Sequence, residues 1–195
     1  MNVFKIDRKS DCFACNTFVV ENGGEGVLID AGLPYREIAD FLKSKKITPK
    51  YCLLTHGHFD HTRACGELQK AGVKICCLDE EKELCNGEGN VAYMFEGEQF
   101  KPFNVDETFS DGQTVNLIGL DFKVLKTSGH TKGSCCYFTG DACFSGDTLF
   151  ADGYGRCDLP TGNYREMMQS LRRLLRSDKK YVVYTGHGEN TTIGK

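Results

Sequence analysis

The sequence contains no apolar run of the ~20 residues that a membrane-spanning helix needs, and its first residues lack the apolar segment of a secretory signal peptide. It also lacks a basic excess, since 24 Lys and Arg residues stand against 27 Asp and Glu residues. Proteins that bind nucleic acid usually carry surplus cations that neutralise phosphates. We therefore expect a cytoplasmic protein that binds neither membranes nor nucleic acid.

No internal repeat, low-complexity segment or linker divides the chain, so its 195 residues are expected to form one domain, residues 1–195. Eleven cysteines are an odd number, and without a secretory signal they are expected to be reduced thiols. Cys12 and Cys15 form a C-x-x-C motif, and adjacent pairs stand at 76–77 and 135–136, so a structural zinc or redox centre is an alternative. Because both adjacent pairs lie in apolar, strand-like segments, packing is the favoured interpretation.

Residue periodicity predicts an alternation of strands and helices. Strands are expected at residues 3–6, 16–20, 26–30, 51–54, 73–78, 114–118, 121–126, 135–138, 142–145 and 181–184. Helices are expected at residues 34–46, 61–70, 79–85 and 163–176, and residues 86–110 are expected to form a long surface loop. The loop that follows strand 51–54 would lie at the carboxyl end of a parallel strand, where ligands bind in open α/β sheets.

That loop carries the densest chemical signal of the chain, the run HGHFDH at 56–61. The potential ligands in the run are His56, His58, Asp60 and His61, and the other candidates are His130, Asp147 and His187, each of which follows a predicted strand. Imidazole and carboxylate suit zinc, iron or manganese. Because a catalytic metal typically takes three protein ligands and a water, the run holds too many ligands for one ion and predicts two.

These motifs resemble those of a known superfamily. The pattern His56-x-His58-x-Asp60-His61, with His130 in SGHT, Asp147 in FSGDTLF and His187 in TGHG, resembles the metallo-β-lactamase superfamily. The segment GRCDLP at 155–160 and the ending 186–194 are similar to the short, single-domain glyoxalase II-like (hydroxyacylglutathione hydrolase-like) hydrolases. The resemblance implies an α/β fold, the αββα four-layer sandwich.

The resemblance also implies a division of the ligands between two divalent ions, most often zinc, with iron or manganese as alternatives. One ion would be bound by His56, His58 and His130, the other by Asp60, His61 and His187, with Asp147 bridging both. A hydroxide shared by the ions would attack the substrate, and Asp60 would orient or deprotonate it. Asp30 would hold the histidine loop in place.

Three more residues are candidates for substrate contact. Lys132 follows His130 closely enough to reach a substrate carboxylate, although an exposed structural lysine is the alternative. Arg156 and Asp158 either pair with each other near the site or contact the substrate, and the sequence leaves both open.

The activity implied by the resemblance is hydrolysis of a small thioester, S-D-lactoylglutathione or a similar hydroxyacyl thiol. The main alternative is a persulfide dioxygenase, which has the same fold but uses a single iron, with ligands matching His56, His130 and Asp147. Those enzymes usually have alanine where this chain has Phe59, which favours the hydrolase. Hydrolysis of a lactone or another ester would use the same metal chemistry and stays open, because function resides in the site rather than the fold.

Overall fold

In the computed structural model, which describes residues 1–9, 13–94, 101–177 and 179–194, twelve strands form two six-stranded sheets. The first sheet contains, in spatial order, β1 (Asn2–Lys5), β2 (Phe18–Asn22), β3 (Glu25–Ile29), β4 (Thr48–Leu53), β5 (Lys74–Leu78) and β6 (Glu107–Phe109). The second contains β7 (Thr114–Leu117), β8 (Leu120–Lys126), β9 (Cys135–Thr139), β10 (Ala142–Gly146), β11 (Tyr181–Thr185) and β12 (Thr191–Ile193), whose spatial order runs from β12 to β7.

The helices are α1 (Tyr35–Lys45), α2 (Phe59–Thr62), α3 (Cys65–Lys70), α4 (Lys82–Asn86) and α5 (Tyr164–Leu175), with 3-10 turns at Asp79–Glu81, Glu88–Asn90 and Ala92–Met94. Of these, α1 and α3 pack on the outer face of the first sheet and α5 packs on that of the second. The first turn of α5 is capped by Asn163, whose side-chain oxygen accepts hydrogen bonds from the backbone N–H groups of Arg165 and Glu166. The helix α1 ends at Lys46, which adopts the left-handed conformation common at helix ends.

The apolar residues form three packed layers between these elements. Between the sheets, the first sheet contributes Phe18 and Leu53, and the second contributes Phe122, Tyr137 and Phe144. Outside the first sheet the core includes Leu28, Cys52 and Ile75 from the strands, Ile38 and Leu42 from α1, and Leu68 from α3. Outside the second sheet, Leu174 of α5 packs on Cys143 and Val183. The predicted αββα sandwich is therefore confirmed.

The helix predicted at 61–70 is wrong as a single element. The structure has α2, which begins before His61, and α3, with a break between them. The break follows from hydrogen bonds to the loop after β3: the His61 carbonyl accepts from Ala31 N, and Ala64 N donates to the Ala31 carbonyl. Because these backbone groups bond across to another segment, they do not continue the helical ladder.

The segment predicted as a long loop at 86–110 is partly structured. It contains the short strand β6, which pairs in parallel with β5, while Phe103 packs into the outer core of the first sheet and Val91 and Ala92 contact Phe59. Two of its aromatic residues, Phe95 and Phe100, lie outside the described residues, as does Cys12 of the C-x-x-C motif.

The ten described cysteines are all free thiols, and nine of them are buried, which agrees with the packing interpretation. Within the described ranges, no group of potential metal ligands contains more than one cysteine. In the same ranges, no helix has the length and apolarity needed to cross a bilayer.

Candidate metal centre

The candidate ligands all follow strands whose carboxyl ends meet at one edge of the sandwich. In the first sheet β3 and β4 run parallel, and they lead to Asp30 and to the run 56–61. In the second sheet β8, β10 and β11 run in one direction, because β9 is antiparallel to both β8 and β10. These strands lead to His130, Asp147 and His187, so the topology brings distant parts of the chain to one place.

Three histidines form the first of two ligand groups. The ring nitrogens of His56, His58 and His130 lie within 4.8 Å of one another, and we call this set the three-histidine group. The shortest separation, between His58 Nδ1 and His130 Nε2, is 2.9 Å. Two imidazole nitrogens bound tetrahedrally to one zinc at about 2.0–2.1 Å would be roughly 3.3 Å apart, so small shifts would accommodate an ion.

The second group contains Asp60, His61 and His187, and we call it the mixed group. In it, His187 Nε2 lies 3.2 Å and His61 Nε2 lies 3.7 Å from Asp60 Oδ2. Asp147 lies between the groups: its Oδ1 is 3.4 Å from His61 Nε2, and its Oδ2 is 3.4 Å from His130 Nε2. One carboxylate is therefore within reach of both groups.

Hydrogen bonds on the outer side fix the tautomers of two histidines. His61 Nδ1 is 2.8 Å from Asp30 Oδ2, and His130 Nδ1 is 2.7 Å from the Arg156 carbonyl oxygen. Because these oxygens only accept, each Nδ1 carries the hydrogen and each Nε2 directs a lone pair at the centre in the neutral ring.

Four buried atoms of the centre have no hydrogen-bond partner among the described residues. They are His56 Nε2, His58 Nε2, His61 Nε2 and Asp147 Oδ1. Buried polar atoms in folded proteins nearly always have a hydrogen-bond partner. Because these nitrogen and oxygen atoms carry no hydrogen of their own when the rings are neutral, they need a donor or a cation as their partner. Since imidazole nitrogens and carboxylate oxygens are the usual ligands of zinc and iron, the residues present fit metal ions.

The protonation states of His56 and His58 agree with that fit, whereas His61 must release a proton to bind a metal: burial lowers its pKa, but Cys15 and the neighbouring carboxylates raise it well above the usual range. Burial lowers the pKa of His56 well below its usual range and lowers the pKa of His58 to about 3, so both rings are neutral at pH 7 and able to bind a metal. Burial opposes the ionisation of Asp60 and Asp147, but the neighbouring histidines together, with His61 foremost, hold the pKa of both carboxyls below the usual range.

Asp30 holds the histidine loop through three hydrogen bonds. Its side chain is buried and accepts from Thr55 N, Thr55 Oγ1 and His61 Nδ1, each at 2.8 Å. Its backbone has a positive φ of 58°, a conformation that Asp tolerates better than most residues. Through His61 it contacts the histidine loop, which is the loop that the sequence resemblance implies this residue holds.

Two glycines let the backbone approach the bridging carboxylate. A Cβ on Gly186 would collide with Asp147 Oδ1, and one on Gly155 would collide with the Asp147 carbonyl oxygen and lie 3.0 Å from His130 Nδ1. Both positions therefore need glycine for steric reasons.

A family model described as the metallo-beta-lactamase superfamily matches residues 10–187. The chain belongs to the metallo-β-lactamase superfamily. Among curated superfamily relatives, the hydroxyacylglutathione hydrolase GloC of Haemophilus influenzae is 33% identical over 174 residues, which cover 86% of this chain and 82% of that protein.

Two solved structures show how closely the superfamily fold is matched. The BLEG-1 B3 metallo-β-lactamase aligns with a TM-score of 0.87 at 26% identity, covering 98% of this chain and 94% of that one. A di-iron-bound form of TTHA1623 aligns with a TM-score of 0.83 at 32% identity, covering 92% and 90%.

Of the three candidates for substrate contact in this superfamily member, two pair with each other. Arg156 donates from Nε and Nη2 to the two oxygens of Asp158, both at 2.7 Å, and both side chains are exposed. Lys132 is exposed and lines a separate cavity beside Thr161. The structure thus brings together all seven candidate ligands, but places Lys132 on a different cavity from the one beside His187.

Two aromatic side chains that sequence reasoning missed contact the His187 ring. Phe13 is 54% exposed and stacks on both His187 and Phe59, with ring centroids 5.8 and 6.1 Å apart. The edge of Phe150 meets His187 at 6.1 Å. Next to His187, a cavity of about 400 Å³ extends to Arg8 and provides room for a small ligand.

A buried carboxylate, Glu81, is a second feature that the sequence did not reveal. It lies in the acidic run 79–83, which reads as a solvated segment, yet its side chain is fully buried. Burial raises the pKa of Glu81 to about 7, although hydrogen bonds from Gly57, Thr131 and Gly133 act in the opposite direction. No periodicity or motif singles this residue out from its acidic neighbours.

Proposed function

We propose that this metallo-hydrolase of the metallo-β-lactamase superfamily cleaves a small thioester, S-D-lactoylglutathione or a similar hydroxyacyl thiol. The observation that carries the hydrolase proposal is Asp147, whose two oxygens lie within 3.4 Å of the three-histidine group and of the mixed group. The thioester substrate is supported by the similarity to the hydroxyacylglutathione hydrolase GloC over 86% of the chain.

In this proposal the two groups hold two divalent ions. The three-histidine group holds one ion, the mixed group holds the other, and Asp147 is shared. The chemistry that such a pair of ions supplies is a water of lowered pKa and a polarised carbonyl. Zinc is the proposed native metal, and iron or manganese would suit the same nitrogen and oxygen donors.

The residues of the chain orient and protect the reaction. Asp60 is ionised and nearly buried, so it is able to orient the attacking water and accept its proton. Hydrolysis breaks the carbon–sulfur bond, adds the water oxygen to the acyl carbon and leaves a proton for the departing sulfur. Phe13 and Phe150 cover part of the His187 ring, whose side chain stays 30% exposed and so accessible to a substrate.

The cavity beside His187 suits the thiol part of the substrate. It has a volume of about 400 Å³, and its wall includes the cationic residues Lys5 and Arg8 and the acidic residues Asp7 and Glu189. Charged groups of both signs suit a ligand that carries both carboxylates and an ammonium group, as glutathione does. The side chains of Arg156 and Asp158 neutralise each other in a bidentate ion pair. We propose that this pair holds the loop in which the Arg156 carbonyl oxygen accepts a hydrogen bond from His130 Nδ1.

The test is loss of thioester ultraviolet absorbance when purified, zinc-loaded protein meets S-D-lactoylglutathione. This readout avoids thiol reagents, which the eleven protein cysteines would confound. We expect loss that disappears on chelation and in His58→Ala. No loss above that control, in protein with two bound ions, would refute the thioester proposal.

Two alternatives would then be measured on the same protein. Oxygen uptake with glutathione persulfide in iron-loaded protein would indicate the dioxygenase, which needs only ligands matching His56, His130 and Asp147 and should survive His187→Ala. Lactone or ester cleavage would indicate a hydrolase of another substrate, and it should be lost in His187→Ala as the thioester activity should.

A further inference from the structure

Glu81 occupies an unusual place for a carboxylate. It ends the 3-10 turn Asp79–Glu81, directly after β5, and its exposed fraction is 0%. Burying a carboxylate is costly unless its oxygens are hydrogen-bonded, so its partners indicate why it is retained.

Those partners lie on both loops that carry the three-histidine group. Oε1 accepts from the backbone N–H of Gly57, at 2.8 Å, and Gly57 stands between His56 and His58. Oε2 accepts from Gly133 N at 2.9 Å and from Thr131 Oγ1 at 3.0 Å, in the loop that begins with His130. A single carboxylate therefore joins two chain segments that are more than 70 residues apart.

The two glycines allow this close contact. A Cβ on Gly133 would lie 2.5 to 2.7 Å from three atoms of Glu81, and a Cβ on Gly57 would lie 2.7 Å from the Leu84 side chain. Both loops therefore press against the turn and helix that contain Glu81, and only residues without a side chain fit there.

The mixed group has no such connection. Within the described ranges, the hydrogen bonds of Glu81 go to Gly57, Thr131 and Gly133, whereas His61 is held by Asp30 on the far side of the centre. Glu81 thus bonds beside ligands of the three-histidine group, whereas Asp30 bonds to His61 and also to Thr55, whose hydroxyl lies 3.2 Å from His56 Nδ1.

We propose that Glu81 is a positioning residue that sets the spacing of His56, His58 and His130, and so determines metal affinity at the three-histidine group separately from the mixed group. The inference rests on the proposed two-metal centre and not on the substrate. Residues that hold metal ligands in place typically change metal affinity by about 10–100-fold when they are replaced.

A carboxylate is required because all three partners donate. In Glu81→Gln the side chain keeps its shape, but its NH2 group must face either Gly57 N–H or the donors at Gly133 and Thr131. In either orientation the NH2 group faces a backbone N–H, that of Gly57 or that of Gly133, and this N–H loses its hydrogen bond. One of the two histidine loops is therefore released.

The experiment titrates metal-free protein with Zn²⁺ in competition with a chromophoric chelator, and follows Co²⁺ absorption in parallel. His58→Ala removes the binding phase of the three-histidine group, and His187→Ala removes that of the mixed group, so each phase is assigned. We expect Glu81→Gln to weaken the His58-dependent phase by about 10–100-fold and to leave the His187-dependent phase unchanged. Glu83→Gln makes the same substitution at an exposed position two residues away and should change neither phase.

Equal weakening of both phases, or no change in either, would overturn the proposal, because a purely structural role would not separate the two groups. If Glu81→Gln does not fold, as judged by near-ultraviolet circular dichroism, Thr131→Val decides. It removes one donor to Glu81 with little change in volume and should weaken the same phase to a smaller extent; an unchanged phase would overturn the proposal.

The outcome is separable from that of the proposed function. Two assigned phases without thioester hydrolysis would refute the substrate and leave the role of Glu81 standing. Wild-type protein without two phases would refute the two-metal centre and this inference with it.

Discussion

Replacement of Asp30 by Asn tests whether the outer hydrogen bonds fix the ligand tautomers. The Asp30 oxygens accept only: Oδ1 from Thr55 N, and Oδ2 from Thr55 Oγ1 and His61 Nδ1. An amide must turn its NH2 group toward either Thr55 N–H or His61 Nδ1–H. Because Asn also tolerates the left-handed φ of 58°, the substitution changes hydrogen bonding without adding backbone strain.

The expected magnitude follows from His61. If the amide NH2 faces His61, the ring must move its hydrogen to Nε2, and the lone pair that points at Asp60 and Asp147 is lost. Loss of such an outer partner typically costs about 10–100-fold in metal affinity, which corresponds to about 1.4–2.7 kcal/mol. In metal-free protein, the lost bond to a charged group should lower the free energy of unfolding by about 1.5–3 kcal/mol.

Two assays check the Asp30 prediction. Competition with a chelator should show weaker binding in the phase that His187→Ala removes, since His61 belongs to the mixed group. Long-range proton–nitrogen correlation spectra of the histidine rings should show the hydrogen of His61 moving from Nδ1 to Nε2. Unchanged affinity with an unchanged His61 tautomer would refute the reasoning that Asp30 sets the tautomer.

Three further changes should have distinct effects. Phe13→Ala removes the ring stacked on His187 and should raise the KM for the thioester while metal content stays at two ions; steady-state kinetics with metal analysis check this, and an unchanged KM would show that the ring does not contact substrate. Gly186→Ala directs a methyl group at Asp147 Oδ1 and should reduce the occupancy of both ions, which elemental analysis measures; full occupancy would contradict the steric argument. In metal-free protein, burial raises the pKa of Glu81 from 4.5 to about 7, so the folded state favours the protonated form. The contribution of this form to the free energy of unfolding, about 3 kcal/mol, is complete below pH 4.5 and is lost as the pH rises to about 7. Urea unfolding of wild type and Glu81→Gln over that range should differ in slope, and parallel curves would contradict the prediction.

The fold and the ligand set could be predicted because their signals are local. His56, His58, Asp60 and His61 are consecutive in the chain, and the remaining ligands each follow an apolar strand within a short motif. Strand and helix patterns extend over five or more residues in most elements, which is long enough for periodicity to show. The four-layer packing followed from the family resemblance rather than from these patterns.

The missed elements lack such local signals. The strands β6 and β12 contain three residues each, too few for an alternating pattern, and both lie at sheet edges. The break between α2 and α3 depends on hydrogen bonds to Ala31, a residue about 30 positions earlier. Neither feature is encoded by the composition of the segment in which it occurs.

Glu81 was missed for a related reason. Its donors at Gly57 and Gly133 are backbone N–H groups, and every residue except proline has one, so no residue type marks the contact. Phe13 lies in an irregular segment, and its ring stacks on Phe59 of the run 56–61, so its position depends on residues distant in the sequence. The single domain and the cytoplasmic location stay predictions.

Charge balance links the number of ions in the centre to the protonation of His61. Asp30, Asp60 and Asp147 are 2%, 6% and 9% exposed, and three buried carboxylates in one centre repel one another. Within the described ranges, the ion-pair partners of these carboxylates are histidines, which must be neutral to bind a metal. With one divalent ion, a protonated His61, whose pKa is raised well above its usual range, balances the three carboxylates; with two ions His61 is neutral, and one hydroxide neutralises the remaining positive charge. The mixed group, which the mononuclear alternative does not need, therefore distinguishes the two functions, because the dinuclear hydrolase requires His61 to lose its proton and bind a metal.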